Sequence, residues 1–221
     1  MSSSHPALAH HFEDLDQQHE AAEMGMWLFL ITECMLFGGL FLAYLVYRYW
    51  YPEGFAAGGH TMDVWLGTFN TAVLLTSSLT MALGAHFATI GRRQPALTSL
   101  GLTMLLGLVF LLIKAYEYHH KYEEHLIPFG GLPFVWHGQH EVGVHVFLTL
   151  YFVMTGLHAV HMLIGLALVG TLAWLVNRSH PATRGALSHN CGLYWHFIDL
   201  VWVYLFPLFY LVSVRGGGLE P

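Results

Sequence analysis

Charge is what this sequence has least of. Only 10% of its 221 residues are Asp, Glu, Lys or Arg, against 55% hydrophobic, whereas a soluble domain carries about 25% charged residues. So little polar surface cannot coat a globule in water, which excludes an ordinary soluble domain. Basic residues are scarcest, with eight Lys and Arg in all and none before the first apolar run. There is no basic tract for nucleic acid. No charged leader or small-residue cleavage site marks a signal peptide, so the first apolar run is expected to direct insertion itself. Two cysteines occur, Cys34 near the middle of the first run and Cys191 at the start of the last. They sit at different depths, which excludes a disulfide, and their number and spacing suggest no zinc or haem-attachment motif. No internal repeat points to a transporter built from inverted halves.

What is present is long apolar runs: Met24 to Tyr47, Val64 to Ile90, Leu97 to Tyr118, Val142 to Val176 and Gly192 to Val214. Each is long enough for a hydrocarbon core about 30 Å thick, which takes roughly 20 helical residues. In lipid a helix satisfies its own backbone hydrogen bonds, so the runs are predicted to be helices and the fold all-α, an integral membrane bundle of five transmembrane helices. The expected organisation is a polar segment over 1–23, a membrane domain over 24–214 and a short tail over 215–221. Connections are expected around Tyr51 to His60, as a Gly-rich loop, at a tight Gly91 to Pro95 turn, over Lys121 to Glu141 and over Asn177 to His189. An N-terminus in the cytoplasm places Arg92, Arg93, Arg178 and Arg184 inside against Arg48, Lys121 and Arg215 outside, a bias of one charge. Ala72, Thr76, Thr80, Gly84 and Ala88 recur every fourth residue, and this small-residue stripe predicts a close helix approach.

Polar groups within the spans are the candidate functional residues, because an ionisable group in hydrocarbon is costly and needs a partner. Glu33 and Asp199 fall at similar depths on spans one and five. His158 and His161 are three apart near the middle of span four, and His196 and Asp199 share that spacing, so each pair lies on one helix face. A polar layer of Glu33, His158, His161, His196 and Asp199 is expected, in which imidazoles donate to carboxylates; the alternative is that each group satisfies a backbone carbonyl or headgroup separately. Lys114 and Glu117, near the end of span three and followed by Tyr118, His119 and His120, read as an interfacial ion pair with aromatic anchors. His86, near the inner end of span two, is placed to snorkel. No third ligand accompanies His158 and His161, so no metal site is predicted. In the N-terminal segment His5, His10, His11 and His19 alternate with Glu13, Asp14, Asp16, Glu20 and Glu23. This is a candidate proton-collecting surface, against the plainer reading of a solvated acidic tail.

Taken together, certain stretches resemble the subunit III family of haem-copper respiratory oxidases. They are Trp27-Leu28-Phe29 to Glu33 with the following Phe-Gly-Gly, Phe69-Asn70-Thr71 through Ser77 to His86, and Gly107 through Lys114 to Glu117-Tyr118. The most specific are Thr155-Gly156-Leu157-His158-Ala159-Val160-His161 with Gly165, and Tyr194-Trp195-His196-Phe197-Ile198-Asp199 with Trp202. The resemblance runs from about Met24 to Val214 and is to the short, five-helix bacterial form, because two helices that precede the Glu-bearing one in mitochondrial members are missing. Lys114 stands where mitochondrial members carry Gln.

The resemblance implies a non-catalytic chain without catalytic residues or a redox centre of its own. By the same resemblance it packs against oxidase subunit I beside subunit II and other oxidase subunits, with haem and copper in those partners. It further implies bound phospholipid, support of proton uptake, a place in the bacterial cytoplasmic membrane with the N-terminus inside, and membership of a complex that reduces dioxygen and pumps protons. Two other readings stand beside it. One is a subunit of a quinol oxidase or a nitric oxide reductase accessory protein; the other is a free-standing b-type cytochrome with His86 and His196 as haem ligands.

Overall fold

The computed structural model describes residues 15–129, 131, 134–180, 183 and 185–212. Six helices follow one another: α1 (Leu15–Trp50), α2 (Pro52–Gly59), α3 (Val64–Thr89), α4 (Arg93–Glu123), α5 (Glu141–Asn177) and α6 (Ala186–Tyr210). Among the described residues there is no strand. Five of the helices are long and apolar enough to cross a membrane, so the all-α, five-span architecture expected from the hydrophobic runs is the one observed.

Helix boundaries depart from the apolar runs because a helix continues into water wherever its backbone is satisfied. α1 starts at Leu15, inside the polar segment, and its 36 residues reach roughly 54 Å at 1.5 Å per residue. α5, with 37 residues, is about as long, well beyond the roughly 30 Å core. α4 begins at Arg93, so Pro95 lies in its first turn, where a missing N–H costs nothing. The preceding turn uses Gly91 at φ +75°, a left-handed conformation that glycine adopts without strain.

The Gly-rich segment after Tyr51, expected as a loop, is instead the helix α2. Pro52 opens it, and its glycines let it lie directly on α5. A Cβ on Gly54 would stand 2.5 Å from Gly143 Cα, and one on Gly143 would stand 2.8 Å from Gly54 Cα. Phe55, buried, fills the space between Tyr44 and Phe147 with edge-on rings.

α3 packs most extensively on α4 and also on α6; α5 lies between α4 and α6 and carries α2, and α1 rests on α5 and α6. The small-residue stripe is only partly used. Thr80, Gly84 and Ala88 are buried, with Gly84 seated against Leu100 of α4, whereas Ala72 and Thr76 are exposed. A four-residue spacing gains about 40° per step on a 3.6-residue helix, so the stripe walks off the contact face. Gly67, Asn70, Leu74 and Ser77 take over that face. The indole of Trp195 keys the core: a Cβ on Gly107 of α4 or Gly165 of α5 would meet it at 2.9 and 3.2 Å, and its Nε1 donates to Ser77 Oγ of α3 at 3.2 Å. Pro207 sits inside α6, and near that end the Tyr44 hydroxyl of α1 donates to the Leu208 carbonyl.

Candidate functional site

The predicted pair Lys114 and Glu117 is made, and it lies inside the bundle rather than on its surface. Lys114 is 5% exposed and Glu117 6%, because Tyr151 of α5 and Tyr210 of α6 close over the pair. The exposed positions are His119 and His120, which lie 3.6 and 3.5 Å from Glu123 and Glu124. Around the buried pair the protons can be counted. An ammonium has three N–H donors, and Lys114 Nζ points one at Glu117 Oε2 (3.1 Å), one at the Tyr151 hydroxyl (2.8 Å) and one at the Tyr210 hydroxyl (2.8 Å). Both tyrosines pass their own protons to Glu117, from Tyr151 to Oε1 at 2.8 Å and from Tyr210 at 2.7 Å. Every donor is used, and the ring of bonds ties α4, α5 and α6. The Trp202 ring 5.2 Å from Nζ adds a cation–π contact. Tyr118 and Thr155 extend the cluster through hydroxyls 2.5 Å apart.

The five residues expected to form one polar layer separate into distinct sites. His161 Nε2 lies 2.9 Å from Glu33 Oε2 and bridges α5 to α1. Its Nδ1 is 2.9 Å from the Leu157 carbonyl; a carbonyl only accepts, so Nδ1 carries a proton. One further proton lies between His161 and Glu33, whichever of the two owns it. His196 does not reach its own helix neighbour Asp199: its Nδ1 is 2.7 Å from Ser78 Oγ on α3. Asp199 is 3% exposed, and neither of its oxygens has a hydrogen-bond partner. The same holds for both nitrogens of His158, whose ring is held between Phe110 and Trp202. Among these five residues the imidazole-to-carboxylate bond is therefore made once, and Ser78, Tyr151 and Tyr210 take part without having been anticipated.

No group of three or more His, Cys, Asp or Glu able to hold a metal occurs among the described residues. His86, His189 and His196 line one open groove between α3 and α6. Cys34 is exposed and Cys191 buried, both free. His5, His10 and His11 lie outside the described residues, as does the side chain of His19.

Comparison with known families bears on this arrangement directly. The family model described as cytochrome c oxidase subunit III matches residues 9–214. The chain belongs to that family. It is 29% identical to cytochrome c oxidase subunit 3 of Thermostichus vulcanus over 90% of this chain and 92% of that protein. It is 31% identical to cytochrome bo(3) ubiquinol oxidase subunit 3 of Pseudomonas aeruginosa, with 96% of each chain covered. A probable quinol oxidase subunit 3 of Staphylococcus haemolyticus is 29% identical over 89% of this chain and 91% of its own. This is a subunit III of the haem-copper oxidases, part of an oxidoreductase complex. The segments that carried the sequence resemblance supply Glu33, His161, Ser77, Trp195, Lys114 and Glu117, whereas Tyr151 and Tyr210 lie outside them. Each of these residues makes a side-chain contact between helices.

Proposed function

We propose that this chain is the non-catalytic third subunit of a proton-pumping cytochrome c oxidase in a bacterial cytoplasmic membrane, with its N-terminus in the cytoplasm. It packs against subunit I, beside subunit II, and the haem and copper of dioxygen reduction reside in those partners. Phospholipid occupies the grooves of its lipid-facing surface. Glu33 with His161, and His158, His196 and Asp199, support the subunit I interface and proton uptake; His5, His10, His11 and His19 collect protons at the surface. The observation that carries this reading is that the family match spans all five membrane helices. Beside it stands a buried polar cluster around Lys114 in which all three ammonium donors are committed within the bundle. Such a cluster suits a supporting subunit, because no N–H is left to engage a substrate.

A quinol oxidase is the second reading, favoured by the relatives from P. aeruginosa and S. haemolyticus at similar identity. One purification addresses both. The tagged chain is isolated in mild detergent, its companion subunits are identified, and oxygen consumption is compared with reduced cytochrome c and with a quinol. Haem-bearing companions and turnover on cytochrome c are expected. Turnover on quinol alone selects the second reading, and a chain that purifies without haem-bearing companions overturns both.

A further inference from the structure

Asp199 is the buried acid that the helix-joining network leaves out. Two observations set it apart. Its carboxyl group is enclosed at 3% exposure between α6 and its neighbours, with no donor to either oxygen. One helical turn before it, His196 stands half-buried on the wall of the groove that also holds His86 and His189, both exposed. That groove lies at the end of the bundle where α3 finishes and α6 begins. Beside the imidazole is the hydroxyl of Ser78 on α3, 2.7 Å from His196 Nδ1. Ser78 also stands beside Asp199 as a side-chain donor to it when its hydroxyl turns from the imidazole.

A bare carboxylate without donors in such a place costs several kcal/mol, and the neutral acid avoids that cost. We propose that Asp199 is a proton-binding site that exchanges with the aqueous phase at this end of the bundle through Ser78 and His196. Starting from neutral His196 with its proton on Nδ1, a proton from the groove adds to Nε2. Nδ1 then gives its proton to Ser78 Oγ, and Ser78 gives its own hydroxyl proton to an Asp199 oxygen. One proton enters and one is delivered, the serine is unchanged, and the imidazole ends as the other neutral tautomer. Ser78 and His196 act as relays and Asp199 as the acceptor, a role that the helix-joining bonds of His161 and Lys114 do not have.

The proposal deepens the reading of this chain as an oxidase subunit that supports proton uptake, but its test does not depend on turnover. The intact purified complex is transferred from H2O to D2O, and the protonated-carboxyl stretch is followed by infrared difference spectroscopy. Asp199→Asn is expected to remove one such band, and where that variant does not assemble, Asp199→Glu shifts it. Ser78→Ala should slow deuteration of this band by about tenfold or more, and Ser78→Thr, which keeps a hydroxyl, should restore it. If no band is lost or shifted on changing Asp199, or if Ser78→Ala exchanges at the wild-type rate, the proposal is overturned. Failure of the oxidase reading is a separate result, visible as a chain purified without haem.

Discussion

Removing Lys114 while keeping its carboxylate partner is the sharpest perturbation of the buried cluster. In Lys114→Met the methionine fills much of the lysine's volume, but three hydrogen bonds to Glu117, Tyr151 and Tyr210 are lost. Glu117 keeps its two tyrosine donors and becomes an uncompensated charge at 6% exposure. Breaking one side of a buried ion pair costs about 3–5 kcal/mol, whereas replacing the whole pair costs far less. Glu117→Gln, which leaves the ammonium unneutralised, is expected in the same range. The double variant removes both charges, so its cost should fall short of the summed single costs by about 2 kcal/mol or more. Unfolding free energies of the four forms in lipid bicelles, measured by steric trapping, give the cycle. Single costs below about 1 kcal/mol, or additive ones, would refute the argument that the cluster acts as a closed unit.

Three further outcomes are expected. Gly54→Val drives a side chain into the Gly143 backbone and should cost about 1–3 kcal/mol by overpacking, seen as new protease cleavage between Tyr51 and Met62; unchanged resistance would contradict the α2–α5 contact. Glu33→Gln keeps a bridge to His161 but removes the acid. Haem spectra should stay unchanged while subunit association or sustained turnover weakens, and complete loss of the haem signal in an assembled complex would be the wrong result. Deleting the residues before Gln17 removes His5, His10 and His11 and tests the N-terminal segment. Imidazoles titrate near about 6.5, so a proton-collecting segment matters most where protons are scarce, and oxygen consumption should fall selectively towards about pH 8.5; an unchanged profile leaves a solvated tail.

Composition and periodicity were enough to determine the solvent, the fold class and the spans, because in lipid a long apolar run has hardly any structure open to it but a helix. They were also enough to single out Glu33, His161, Lys114, Glu117 and Asp199, since an ionisable residue inside such a run is conspicuous at once. Partners were decided only by tertiary structure. Whether Lys114 faces lipid or the core depends on which helices pack on its side of α4, and its two tyrosine partners lie 37 and 96 residues away along the chain. His196 and Asp199 share a helix face, yet a hydroxyl on α3 captures the imidazole and leaves the acid alone. Spacing along one helix places side chains on a common face. Which neighbour meets that face is set by close glycine approaches such as Gly54 on Gly143, and by Trp195 wedged between Gly107 and Gly165. These are contacts between residues far apart in the chain, so no local pattern records them.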